Sequence, residues 1–427
     1  MRKISYYCFY AVLGLSFAQA VQANIPTTEI EPLLPQSSDV EQSLNQHPGV
    51  LAARSGLDYA AAYNQKIRLG DAAWTVKTGL QLRRTDAPDS GRSSETFYEP
   101  NIGLEKQVRL PNKARLDRDL GSREIVLAEL KYTDAWHEAS KELHGLWFAY
   151  LRALTQLDRQ REQLQIIENQ MGILSNRIRV GDAPRLELML LNTEHLQSKE
   201  QLLQAEMSLS QTKQALSRYF QGNIPANFLT QRIKVLPQTY TQAQWVTAVL
   251  DANHELKLAQ TQAQQQHALL QRQRLNSLPD PTLGVGYSRE QAGADNLISF
   301  SVSIPLAQRQ VRATTAMLEA EAKRADIEAA RVQSRLVNET KLLSMQLQDA
   351  QLRMTKSEEI FTELLKQNSL MNKAYRLGEI SLNELLLHSR QLIEGITRLD
   401  QARLDYAQNL SLLMLNSHMI WSIDDEH

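Results

Sequence analysis

Two stretches without a single proline, residues 113–177 and 307–376, constrain this chain more than anything else in it. Through the first, apolar residues recur at spacings of three and four, as in Leu143, Leu146, Trp147, Tyr150, Leu151, Leu154 and Leu157. That is the period of a helix with one buried face. At 1.5 Å per residue each such helix would be roughly 100 Å long. A globular domain needs no element of that length, so what flanks the two helices decides what they are for.

Ahead of each helix the period changes to two. Trp74, Val76, Leu80 and Leu82 alternate with Thr75, Lys77, Gly79, Gln81 and Arg83, which predicts a strand. A polar turn over 86–92 leads to a second strand, in which Tyr98, Ile102 and Leu104 alternate with Glu99, Asn101 and Glu105, and Pro111 closes the hairpin. The second half repeats the pattern. Leu283, Val285 and Tyr287 alternate with Gly284, Gly286 and Ser288; after a turn over 290–296, Ile298, Phe300, Val302 and Ile304 alternate with Ser299, Ser301 and Ser303, and Pro305 closes it.

Behind each helix stands a matched turn. Tyr375-Arg376-Leu377-Gly378-Glu379 is echoed by Ile178-Arg179-Val180-Gly181-Asp182, and an acid follows six residues after each glycine, Glu384 and Glu187. The glycines suit a left-handed C-cap, and Ser381 with Glu384 forms a capping box for the next helix. In the first copy Pro184 stands near the first helical turn, where a missing N–H costs nothing. The chain is therefore a tandem duplication. The first repeat covers 40–220: helix 40–71, hairpin 74–110, long helix 113–177, tip 178–184 and return helix 185–220. After an irregular connection at 221–240, the second repeat covers 241–418: helix 241–276, hairpin 281–305, long helix 307–376, tip 377–381 and return helix 381–418. A tail at 419–427 completes it.

The N-terminus points to export. Arg2 and Lys3 precede an apolar run to Phe17, and Ala18-Gln19-Ala20 or Val21-Gln22-Ala23 suits cleavage, so 1–23 is expected to be a signal peptide and 24–39, with Pro26, Pro32 and Pro35, an extended lead-in. A membrane anchor is the alternative, but the run falls short of a spanning helix. The one cysteine, Cys8, lies in this segment, which leaves no thiol or disulfide afterwards. Loss of Arg2 and Lys3 takes the 47 basic residues to 45 against 48 acidic ones, a balance that argues neither for nor against nucleic acid; no nucleic-acid partner is expected. With a mean hydropathy of −0.40, an exported chain of this kind is periplasmic, extracellular or an outer-membrane barrel.

Hairpins with one long apolar face leave unpaired edges, and uncovered they would aggregate. Lipid on that face answers both demands; a soluble hairpin pair packed on helices is the alternative. On the duplicated hairpins, the Ile304-Pro305-Leu306 strand exit, the Arg-x-Gly tips and the Glu384-Leu385-Leu386 that follows, the chain from Val40 to Asn416 resembles the TolC family of outer-membrane efflux channels. The Asp280-to-Tyr287 strand and the second tip look most like its heavy-metal cation branch, the CzcC-like and CusC-like proteins. The resemblance implies a mainly α chain with membrane β: a homotrimer whose chains each give four strands to a shared twelve-stranded barrel in outer-membrane lipid, continued by a long α-helical barrel through the periplasm. It implies a periplasmic adaptor (membrane fusion) protein and an inner-membrane RND pump as partners, no cofactor and no enzymatic activity.

By the same resemblance Glu384 and Glu187 are candidates for a carboxylate gate at the periplasmic end. Three like charges brought together by symmetry repel one another and attract cations. Each could equally be an acid that merely suits the start of its helix. The family's second acid, three residues on, is Leu387 here. Gly181 and Gly378 form the tip turns, while Arg179, Arg376, Leu377 and Leu186 are candidate adaptor contacts, with solvated surface an alternative for the arginines. Trp74, Tyr98 and Tyr287 are candidate membrane-interface aromatics. The nine histidines include His137 and His144, seven apart on one helix, a spacing that reads as packing rather than a metal site. No phosphate loop, HExxH or GxSxG occurs. The expected function is a passive conduit for heavy-metal cations, with drug or other small-molecule efflux and a poreless periplasmic scaffold as alternatives.

Overall fold

The structure, a computed structural model, describes residues 33–70, 73–85, 95–220, 224, 240–305 and 308–423. The expected signal peptide, most of the lead-in, the turn at 86–92, Leu306, most of the 221–240 connection and the end of the tail lie outside the described residues.

Helices α1 (Ser37–Leu44) and α2 (Pro48–Leu69) precede strands β1 (Trp74–Thr85) and β2 (Glu95–Gln107); α3 (Pro111–Arg179) and α4 (Arg185–Phe220) follow. The second half runs α5 (Gln242–Ala252), α6 (His254–Arg274), a 3₁₀ turn, β3 (Thr282–Glu290), β4 (Asp295–Ser303), α7 (Gln308–Arg376) and α8 (Leu382–Asn416). Both α3 and α7 contain 69 residues, hence roughly 100 Å of unbroken helix. Pro111 and Pro48 each open a helix at its first turn, where proline's missing N–H is harmless.

Three expectations need correction. The helix expected over 40–71 is two, because Pro48 keeps His47 extended (φ −67°, ψ 131°). The helix expected over 241–276 is also two. Asn253 is extended (φ −64°, ψ 121°), its N–H bonds back to Val249 O to end α5, and its Oδ1 accepts Leu256 N–H at 2.9 Å to start α6. Finally, the lead-in expected to be extended through residue 39 is already helical from Ser37.

The main core gathers where α1, α3, α4, α5, α7 and α8 meet, around Leu143, Trp147, Phe148, Leu151, Trp245 and Leu347, all fully buried. Trp147 donates its indole N–H to Leu33 O at 2.7 Å and Trp136 donates to Trp421 O at 3.1 Å. Leu33 and Trp421, near the two ends of the described residues, are thereby tied to α3. His144 is buried here with Nε2 2.7 Å from Ser411 Oγ; that hydroxyl donates to Ala407 O, so it accepts the imidazole proton. His137 stacks on His418, their ring centroids 5.0 Å apart. Both histidines of the spaced pair are thus packing residues.

The four strands form one antiparallel sheet in the order β1-β2-β3-β4. β2 and β3 join the two repeats, pairing from Asn101↔Ser288 to Gln107↔Thr282. Where β2 meets α3, Arg109 ties the elements together: its guanidinium donates to the last carbonyls of α2, Ile67 O and Arg68 O, both at 2.7 Å, and to Asp117 at 2.9 Å. Arg272 of α6 takes the other Asp117 oxygen at 2.5 Å. Beside them buried Lys113 pairs with Asp280 at 3.2 Å.

Candidate functional site: the paired tips and the open sheet

Both tips close in the same way. Gly181 N–H bonds to Ile178 O (3.1 Å) and Asp182 N–H to Arg177 O (2.8 Å); Gly378 N–H bonds to Tyr375 O (3.1 Å) and Glu379 N–H to Ala374 O (2.9 Å). This doubled pattern is the Schellman motif. It requires the left-handed backbone seen at Gly181 (φ 81°) and Gly378 (φ 75°), which only glycine adopts without strain. The next helices then start differently. In the second copy Glu384 Oε2 accepts from Ser381 N (2.7 Å) and Ser381 Oγ (2.9 Å), and Ser381 Oγ in turn accepts Glu384 N–H. These bonds hold the Glu384 carboxyl below the usual carboxylate range, although it is fully exposed. In the first copy Pro184 offers no such hydroxyl, and Glu187 Oε2 is buried without a hydrogen bond among the described residues.

The two tips touch. Ile167, Leu174 and Leu191 of the first hairpin pack with Tyr375, Leu382, Leu385 and Leu386 of the second in a small core of their own. Arg177 lies over the Tyr375 ring, 5.1 Å from its centroid, while its Nε donates to Asp182 at 2.8 Å. Arg390 of α8 pairs with Glu194 of α4. Above these contacts a groove of about 650 Å³ opens between the hairpins, lined with amides such as Gln160, Gln163, Gln201 and Gln204.

Leu186 and Leu377 are exposed at the tips, and Arg179 and Arg376 are exposed beside them; Arg179 donates to Asn176 of its own helix. The sequence reading passed over Val180, which is 75% exposed and occupies the same place in tip one as Leu377 in tip two. Alignment of Arg-x-Gly in the two copies contained that signal. It also passed over the exposed Met189 and the Arg177–Tyr375 contact, which no spacing along the chain reveals.

At the opposite end the sheet has two unlike faces. The row Val76↔Leu104↔Val285↔Phe300 is apolar, and the rows that share its face, Leu82↔Tyr98, Thr78↔Ile102↔Tyr287↔Ile298 and Trp74↔Lys106↔Leu283↔Val302, are apolar but for Thr78 and Lys106. None of this face is covered: Trp74 is 62% exposed and Phe300 85%. The intervening rows are polar or small, as in Thr75↔Glu105↔Gly284↔Ser301 and Lys77↔Gly103↔Gly286↔Ser299. Trp74 lies at the helix-proximal rim with the Lys106 ammonium 4.7 Å from its ring centroid. Tyr98 lies towards the other rim. Tyr287 sits between them, its hydroxyl donating to Asn296 Oδ1 at 2.6 Å. The outer edges of β1 and β4 have no partner among the described residues. Among the described residues no helix is long and apolar enough to cross a membrane, and no three His, Cys, Asp or Glu side chains converge as a metal site.

No protein-family model matches the chain, and no curated protein matches it. Solved structures do. The CmeC outer membrane channel of Campylobacter jejuni aligns over 100% of this chain and 95% of its own, with a TM-score of 0.72 and 13% identity. CusC aligns over 91% and 92% (TM-score 0.70, 13% identity). The outer membrane protein VceC of Vibrio cholerae aligns over 90% and 95% (TM-score 0.69, 16% identity). At such identities the likeness is one of architecture, and on it the chain has the fold of the TolC-like outer-membrane channels.

Proposed function

We propose that this chain is one of three subunits of an outer-membrane efflux channel, the passive exit conduit of a tripartite system that includes a periplasmic adaptor and an inner-membrane RND pump. The observation that carries this reading is the uncovered apolar face of the sheet, together with its two open edges. In water such a sheet is an aggregation template; in lipid, with β4 of each chain paired to β1 of the next, both problems vanish. Along β1 the apolar band from Trp74 to Leu82 covers nine residues, eight steps or roughly 27 Å along the strand, which after barrel tilt suits an outer-membrane band. The polar rows then face a lumen. The α3–α4 and α7–α8 hairpins continue it through the periplasm, and their exposed apolar tips, around Val180, Leu186 and Leu377, form the adaptor contact.

Glu384 and Glu187 form the gate at the tips, and their charge favours cations as cargo. Heavy-metal cations are the substrate class we infer, drawing on the likeness of the second tip to the cation branch of the family. Purified protein reconstituted in planar bilayers tests the channel: it should conduct ions, with Glu384→Ala raising conductance more than Glu187→Ala. Absence of conductance, or recovery of the protein from the soluble periplasm without detergent, would overturn the reading. A deletion strain grown on zinc, cobalt, cadmium, copper, silver and a drug panel tests the cargo; sensitivity to drugs alone would replace cations with drugs.

A further inference from the structure

The β3–β4 turn does not project from the sheet. Gln291, Ala292 and Gly293 have φ of 49°, 53° and 99°, three consecutive left-handed residues of which two carry side chains. Such a backbone persists only where its surroundings hold it. What holds it is a side chain on another strand. Gln291 N–H donates to Glu99 Oε1 at 3.2 Å, and Arg83 Nε lies 3.2 Å from the same carboxylate oxygen while its NH2 pairs with Glu290. Ser288 Oγ adds a bond to Glu290 at 3.3 Å. Glu99 is 2% exposed on a strand that is otherwise largely open, and its Oε2 is buried without a hydrogen bond among the described residues.

The register gives this arrangement a direction. Glu99 stands opposite Gln81 and alternates with Tyr98, so it belongs to the polar face, as Arg83 does. A turn whose backbone bonds to Glu99 is therefore folded onto the polar face. It lies at the end of the β3–β4 hairpin away from the helices, beyond the closing pair Glu290↔Asp295, while β1 and β2 run past it to Thr85↔Glu95. Gly293 fits this fold, since its φ of 99° is a backbone conformation that residues with side chains rarely adopt.

We propose that the β3–β4 turn is a strap drawn across the polar face by Glu99, and that three such straps narrow the outer mouth of the channel, with the Arg83–Glu290 pair on its wall and Glu99 buried beneath. This rests on the channel reading above. It assigns a second constriction, at the end opposite the Glu384 tips, whose width and ion preference depend on an ion-paired carboxylate rather than on helix packing.

The test uses purified full-length protein in planar bilayers. Made in a Glu384→Ala channel, in which the tips no longer limit the current, Glu99→Ala and Arg83→Ala should each raise single-channel conductance by about 1.5-fold or more, since constrictions in series add their resistances. The double variant Glu99→Cys with Gln291→Cys should keep low conductance when oxidised and gain it on reduction. Tryptic cleavage after Arg289 should be slow in the wild type and fast in Glu99→Ala, a readout that needs no pore. A conducting Glu384→Ala channel matched in conductance and cleavage by both alanine variants made in it would overturn the strap alone. A wild type that never conducts would overturn the channel reading and the strap's role at a mouth with it.

Discussion

Acid should loosen this protein through two imidazoles buried in the middle of α3. His144 is almost fully buried, and its one hydrogen bond uses a ring N–H, so a second proton would enter an apolar pocket lined by Phe148 and Trp421. Burial pushes its pKa down to about 4, with Arg152 adding to the effect. Burial also pushes His137 down to about 4, helped by Lys141 and His254 and opposed by a hydrogen bond with Asn416. Because both folded values lie below the unfolded value of 6.5, the unfolded chain binds more protons between pH 6.5 and 4. Stability is therefore full above pH 6.5 and falls as pH drops towards 4, by about 1.4 kcal/mol per pH unit for each imidazole. Asp134 works the other way. Burial, then Glu138 and Glu255, raise it to about 6, so it adds stability as pH falls from 6 towards 3.8; the carboxyl is partly open to solvent, which screens it to about 1 kcal/mol. From pH 7 to 4.5 the two histidines together cost about 5 kcal/mol, leaving a net loss of about 4 kcal/mol. Denaturant titration followed by far-UV circular dichroism at both pH values measures it. His137→Gln and His144→Gln should each remove about half of the histidine contribution. A double variant that loses as much stability on acidification as the wild type would refute the assignment.

Other perturbations probe the joints and the sheet. Asp280→Ala leaves Lys113, 2% exposed, without its carboxylate; stranding a buried charge costs about 3–5 kcal/mol, and a fall in melting temperature would register it, with Lys113→Met in the same background restoring part of the loss. At Gly378→Ala the added Cβ meets nothing within 4 Å, so the cost comes from φ alone, about 1 kcal/mol, and should match that of Gly181→Ala in the same melt. On the sheet, Phe300→Arg should cost about 2–4 kcal/mol if the apolar face lies in lipid, whereas Ser299→Arg on the polar face should be tolerated. Equal membrane yields for the two variants would contradict the facing.

Features governed by local rules were legible in the sequence. Period-two alternation located β1 to β4, the absence of proline gave α3 and α7, and Ser381 with Glu384 announced its capping box because all its partners lie within four residues. Two breaks were missed where a cue competed with apolar periodicity: Pro48 and Asn253 each interrupt a helix whose flanking residues keep the period of 3.6. The rest is long-range. The Arg109–Asp117–Arg272 junction, the Arg177–Tyr375 contact and the bond from Gln291 to Glu99 join residues that nothing in their spacing connects. His418 was illegible for another reason: it occupies the left-handed position after α8, φ 58°, where the usual signal is glycine.

The pairing of β2 with β3 sets the order in which this protein can be made. Every other strand contact within the chain joins neighbours across a short turn, but Asn101 meets Ser288 only after the whole of α3, α4, α5 and α6 has been synthesised. A chain emerging from its N-terminus therefore holds a finished hairpin with a bare apolar face for nearly half its length before a third strand exists. The helices, whose contacts are mostly local, can form meanwhile, and low contact order makes them fast. Completion of the sheet is the slow, late step, so the first hairpin needs shielding until then, and a truncation ahead of β3 should yield an aggregating fragment rather than half a functional protein.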